Sequence, residues 1–199
     1  SYDNAGVTVT GNVGETDRDV LVSVNGIPQF KVSFGPVLDV IYVSPEGKDT
    51  NDGSLENPVA TIERALQLAK KGQIVVLEGT YKVSNLGTIS DDLNITGNGT
   101  VVIDAQNNNR VLYVGTDASV ILKNLILING YTSDGSGALL GNSNELTLIN
   151  CTLANSTAGI NNGGAIYNVG KLTIIDSTIA NNTAREGGAI FTQDSMAKG

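Results

Sequence analysis

Between residues 110 and 191 the chain repeats itself at a fixed step. Val120-Ile121-Leu122-Lys123-Asn124 aligns with Leu146-Thr147-Leu148-Ile149-Asn150 and with Leu172-Thr173-Ile174-Ile175-Asp176, and 146 − 120 and 172 − 146 both equal 26. Asn129, Asn155 and Asn181 keep that spacing, as do the apolar columns Leu122/Leu148/Ile174 and Leu127/Leu153/Ile179. A period in the twenties, built of short β-rich segments broken by Asn and Gly, predicts a solenoid: one rung is too small to bury a core, and stacked rungs share one. Leu146 and Leu148 then point inward and Thr147 outward, because successive strand residues alternate faces. Asn124, Asn150 and Asp176 mark one bend, and Asn129, Asn155 and Asn181 the next. Asn suits such corners because it tolerates left-handed backbone and its amide can bond to the rungs above and below.

The first 38 residues do not share the repeat. Residues 20–24, the pair Asn25-Gly26 and residues 27–34 read as a β-hairpin, since Asn-Gly best tolerates positive φ at both turn positions. With a further alternating strand at residues 6–10 this is a small β appendage, either the end of an Ig-like module or strands laid over the solenoid's end. Residues 39–199 are read as the solenoid. It opens with a strand at Ile41-Tyr42-Val43 and a polar loop through Asp49 and Asp52. That loop lacks the alternating register of a calcium loop, because Gly53 falls one residue early, so turn chemistry is its reading and no metal is assigned. A short amphipathic helix follows over residues 61–71, with Thr61 as N-cap and Ile62, Ala65, Leu66 and Ala69 on one face. One helix ahead of a run of rungs is expected to cap the stack, covering its apolar layer and unpaired edge. From residue 74 to residue 191 the short segments make about five rungs. The chain has no initiator Met, and its last residues, Ser195-Met196-Ala197-Lys198-Gly199, look helical. The expectation is a piece of a longer protein, with the solenoid truncated at its C-terminal end.

Composition narrows the partners. A formal charge of −8 leaves no basic stripe for nucleic acid or anionic lipid. No apolar run approaches the ~20 residues of a membrane helix. The single cysteine, Cys151, cannot form an internal disulfide and aligns with Leu125 and Ser177, which reads as a small core or turn position.

Gly163-Gly164-Ala165-Ile166-Tyr167-Asn168 resembles the repeat motif of polymorphic outer membrane proteins, and Gly187-Gly188-Ala189-Ile190-Phe191 repeats it with Thr192 in place of Asn. The segment from Tyr42-Val43-Ser44-Pro45 through Asn57-Pro58 and the helix to Gly79-Thr80-Tyr81 is similar to the opening of pectate-lyase-like β-helix proteins. Together with the Thr/Asn-rich rungs, the chain is most similar to adhesin-like surface proteins of methanogenic archaea. The resemblance implies an all-β, right-handed parallel β-helix with three strands per rung, displayed at the cell surface. Its motifs are structural and imply no chemistry.

Two functions of different kind follow. A polysaccharide lyase or glycoside hydrolase needs facing carboxylates, or a basic group with a carboxylate-bound cation. The candidate acids Asp91, Asp92, Asp104, Asp117, Asp134, Glu145 and Asp176 share no column, and the chain has no histidine. No catalytic residue and no cofactor is therefore assigned. The alternative is an adhesin, whose sheets and protruding loops offer area to a carbohydrate or protein on another cell. Its candidate binding residues are Tyr113, Tyr131 and Tyr167, able to stack on sugars, with Asp134 and Arg185 on loops. An open last rung is also a template for strand pairing, so end-to-end self-association belongs among the expected contacts.

Overall fold

The computed structural model describes residues 7–13, 18–24, 27–34, 40–69 and 72–193. The chain divides into two compact units, Ser1–Leu38 and Asp39–Gly199. In the first, Val7–Val13, Arg18–Val24 and Ile27–Phe34 form an antiparallel sheet in that order. Val24 pairs with Ile27, the closure a two-residue turn requires; the Asn-Gly turn itself lies outside the described residues. The register shifts where Ser23 faces Pro28, a residue with no N–H to give the ladder.

The second unit is the expected parallel β-helix. One sheet stacks Val40–Val43, the first part of Gly72–Lys82, the first part of Leu93–Asp104, then Ser119–Lys123, Glu145–Ile149 and Lys171–Ile175. A second continues the same two long strands and adds Ile126–Ile128, Thr152–Ala154 and Thr178–Ala180. The third holds Thr88–Ile89, Leu112–Val114, Leu140–Asn142, Ile166–Asn168 and Ile190–Thr192. A short ladder of Thr157–Asn162 on Thr183–Glu186 lies in the segments between the second and third sheets.

The repeat read from the sequence is the register of the sheets. Val120, Leu146 and Leu172 are neighbours, as are Leu122, Leu148 and Ile174, and Leu127, Leu153 and Ile179. Leu122, Leu127, Leu148 and Leu153 are at most 1% exposed, and each such side chain contributes roughly 1.5–3 kcal/mol by leaving water. Ile174, with no described residue stacked beyond it, is 37% exposed. All six corner residues have positive φ, from 48° at Asp176 to 59° at Asn129. Their amides link rungs: Asn150 Nδ2 donates to Asn124 Oδ1 at 3.0 Å, and Asn129 Nδ2 to Asp104 Oδ1 at 2.9 Å. At Gly164 a Cβ would come within 1.9 Å of the Gly188 carbonyl oxygen, so the paired glycines of the repeated motif are there because two rungs touch through backbone.

The helix, Ile62–Ala69, packs on the strands Val40–Val43 and Gly72–Lys82 and buries Ile62, Ala65 and Ala69, with Leu66 half-buried. Thr61 Oγ1 accepts the Arg64 N–H at 3.1 Å, an N-cap as expected. Asp49 reaches the same end: its carboxylate accepts the N–H groups of Ala60 and Thr61, both at 3.0 Å, and the Thr61 hydroxyl at 2.9 Å. Asp52 accepts the Ser54 N–H at 2.9 Å. The oxygen-rich loop is thus engaged in capping and turn formation. Lys70 and Lys71, read as the basic last turn, lie outside the described residues, as do residues 195–199.

Two outcomes are expected. Leu148→Asp places an unpaired charge in the apolar column and abolishes the cooperative thermal transition, observable by circular dichroism. Tyr81, 6% exposed, donates to the Leu77 carbonyl at 2.8 Å, and burial pushes its pKa from 10.0 up to about 12. With the folded pKa above the unfolded one, its contribution is full below pH 10 and lost as pH rises towards 12. Tyr81→Phe should flatten the fall of denaturation midpoint across that window while lowering stability at neutral pH.

Candidate functional site

The third sheet presents the richest outward face. Its strands alternate: Leu112 and Val114 are buried and Tyr113 turns out, and Ile166 and Asn168 are buried while Tyr167 turns out. Register then places Thr88, Tyr113, Gly141, Tyr167 and Phe191 in one column. The rings of Tyr167 and Phe191 stack, with centroids 5.8 Å apart and planes 5° from parallel. The Tyr113 ring leans over Gly141, where a Cβ would stand 2.2 Å from its nearest carbon. Its hydroxyl hydrogen-bonds the Ser143 hydroxyl, and that of Tyr167 donates to the Gln193 side chain. Beneath the column, Asn142 Nδ2 donates to Asn168 Oδ1 at 2.7 Å, an inward amide pair that satisfies two buried polar side chains.

Arg110 stands at the start of this face. Its Nε donates to the Gly137 carbonyl at 2.8 Å, its Nη2 bonds the Ser136 carbonyl, and its Cζ lies 5.4 Å from the Tyr113 ring centroid. Burial pushes its pKa down from 12.5, with Tyr113 opposing the shift. At the other end of the Tyr113 strand is a cleft of about 350 Å³ lined by Thr88, Ser90, Tyr113, Thr116, Asp117 and Ser143. A second cleft of about 300 Å³ shares Thr88 and Ser90 and runs past Asp91 to Leu66 of the helix.

Of the five residues picked from sequence, Tyr113 and Tyr167 share the column, separated by Gly141. Tyr131, 39% exposed, is elsewhere: it bridges to Thr157, at the start of the short ladder. Asp134 is exposed on the loop that precedes Ser136. Arg185 lies on the ladder strand Thr183–Glu186, donating to Asn162 Oδ1 at 3.3 Å, with Nε 3.9 Å from Glu186. Sequence reasoning missed Arg110, Gly141 and Ser143 because the third sheet does not keep the common period. Its steps are 28 (141 − 113), 26 (167 − 141) and 24 (191 − 167), so a strict 26-residue ruler run back from Tyr167 misses Tyr113.

The candidate acids serve the scaffold in part. Asp92 accepts the Ser119 N–H at 2.8 Å, and Asp104 accepts Gln106 N–H at 2.8 Å besides Asn129. Glu145 pairs with Lys171 at 2.5 Å and accepts from Ser119. Lys171 holds the Glu145 carboxyl below its usual pKa, the wrong direction for a general acid. Among the described residues no group of three or more His, Cys, Asp or Glu is placed to hold a metal ion. Cys151 is buried, and that burial pushes its thiol up. Among the described residues no helix is long and apolar enough to cross a membrane.

Gly141→Ala tests the packing of the column. The new methyl meets a movable ring, so the protein should fold with a loss of about 1–2 kcal/mol and an altered near-UV tyrosine signal. Unchanged spectra would show that the Tyr113 ring does not rest on Gly141.

A family model described as "Protein of unknown function (DUF1565)" matches residues 45–198. Among solved structures a rhamnogalacturonan lyase is similar, with 14% identity and a TM-score of 0.43, over 77% of this chain and 60% of that one. No curated protein matches the chain.

Proposed function

Because the chain belongs to the DUF1565 family, whose description assigns no chemistry, we propose from the site itself that it is a cell-surface adhesin module binding glycans or proteins of another cell through the outer face of its third sheet. The observation that carries this is the column of Tyr113, Tyr167 and Phe191, held in register on a rigid ladder and flanked by clefts. Flat aromatic faces on a preformed scaffold offer apolar contact at little cost in conformational freedom, and their polar tips leave them at home in water. Glycans suit such a surface because a sugar has apolar C–H faces and polar edges. The similarity of the rungs to adhesin-like surface proteins of methanogenic archaea supports display outside the cell.

The module binds without catalysis. Asp92, Asp104 and Glu145 are spent on turns, corners and an ion pair, which does not favour a lyase or hydrolase. The test is a glycan array run with and without calcium, with product analysis of any polysaccharide retained. Binding without new chain ends is expected, weakened about tenfold by Tyr167→Ala, the loss of one aromatic contact of about 1.4 kcal/mol. Cleavage of a bound polysaccharide would overturn the reading, as would binding indifferent to Tyr167.

A further inference from the structure

The cleft beside Tyr113 has more selective chemistry than the face it borders. We infer that it is a subsite for one uncharged or amino sugar unit and that it rejects uronates; this rests on the glycan-binding reading of the third-sheet face.

Its volume, about 350 Å³, lies at the small end of ligand sites, which run from roughly 300 to 1,000 Å³, so it holds a sugar ring or two and no polymer segment. Its walls supply the hydroxyls of Thr88, Ser90, Thr116 and Ser143, each able to donate or accept as a sugar hydroxyl demands. Tyr113 adds an aromatic surface. Asp117 adds one carboxylate, whose side-chain partner in the structure is the Thr116 hydroxyl at a long 3.3 Å. An ionised carboxylate only accepts, and its two oxygens match a pair of sugar hydroxyls or an ammonium group.

The cleft is also preformed. Gly115 N–H donates to the Ile89 carbonyl at 2.9 Å and Ser143 N–H to the Val114 carbonyl at 2.9 Å, so the turn carrying Asp117 is tied to the rungs on both sides. The buried methyl of Ala118 anchors it from within. A Cβ at Gly115 would sit 3.3 Å from the Thr88 methyl and 3.0 Å from the Ile89 carbonyl oxygen, so glycine keeps that wall open.

Charge sets the selectivity. None of the lining residues is basic. Arg110 touches the same tyrosine but precedes its strand, whereas Asp117 follows it, and the guanidinium is bound to the carbonyls of Ser136 and Gly137. A uronate carboxylate entering the cleft meets Asp117 with like charge and no cation to offset it.

The experiment is calorimetry and saturation-transfer NMR with methyl glycosides of glucose, galactose, mannose, glucosamine, glucuronate and galacturonate, on the wild type, Asp117→Asn, Asp117→Ala and Ser143→Ala. At least one uncharged or amino glycoside is expected to bind at least about tenfold more tightly than either uronate. Asp117→Ala should weaken that binding about tenfold, and Asp117→Asn should narrow the gap to the uronates. Preference for a uronate, indifference to Asp117→Ala in a folded variant, or silence from the whole panel would overturn the subsite. Retention of a polysaccharide by the Tyr167 column together with such a result would sink the subsite and leave the face standing. Glycoside binding in the cleft without polysaccharide or protein binding to the column would do the reverse.

Discussion

Each rung lends its neighbours a floor and a ceiling only while all of them hold one register. Leu148 is fully buried because Leu122 lies under it and Ile174 over it, and a slip of one residue would turn that whole set to solvent. The corners enforce the register. A left-handed residue at 124, 150 and 176, and another at 129, 155 and 181, fixes where each strand stops, and amide bonds such as that from Asn150 to Asn124 link a corner to the one below. The apolar columns supply the driving force, and the corners convert it into one alignment.

That division explains what could be read from the sequence. A column of Leu, Leu and Ile at equal steps and a corner of Asn at the same step are two signals of one period, so the first two sheets were legible to the residue. The capping helix was legible because Thr61 and an amphipathic stretch are local signals. Asp49 was not, since its service to the helix spans twelve positions of an irregular loop. The site was legible only in pieces. Tyr113 and Tyr167 could be named as aromatic and exposed, but their shared column is hidden by steps of 28, 26 and 24 residues. Tyr131, Asp134 and Arg185 were chosen for exposure alone, and exposure does not say which face a residue joins.

The varying step is a clue to where function can reside. In the first two sheets the 26-residue rungs stack side by side with no spare residues, and every insertion would break a corner. Between the second and third sheets the chain takes up length differences, as in the loop before Ser136 and the shifted pairing of Thr157–Asn162 with Thr183–Glu186. Backbone there is bound to the next rung by its own side chains, as Arg110 binds the carbonyls of Ser136 and Gly137. Loops that vary over a scaffold that does not are the usual place for recognition.

The direction of the hydrogen bonds has a mechanical consequence. In a parallel stack the bonds between rungs run along the axis, so tension entering at Val40–Val43 and leaving at Ile190–Thr192 loads the layers in series. Such a stack yields by peeling one layer at a time, at low force and over a long extension, in contrast to strands sheared along their length. A tether of this kind limits the load on whatever it holds by lengthening before the bond at its tip gives way.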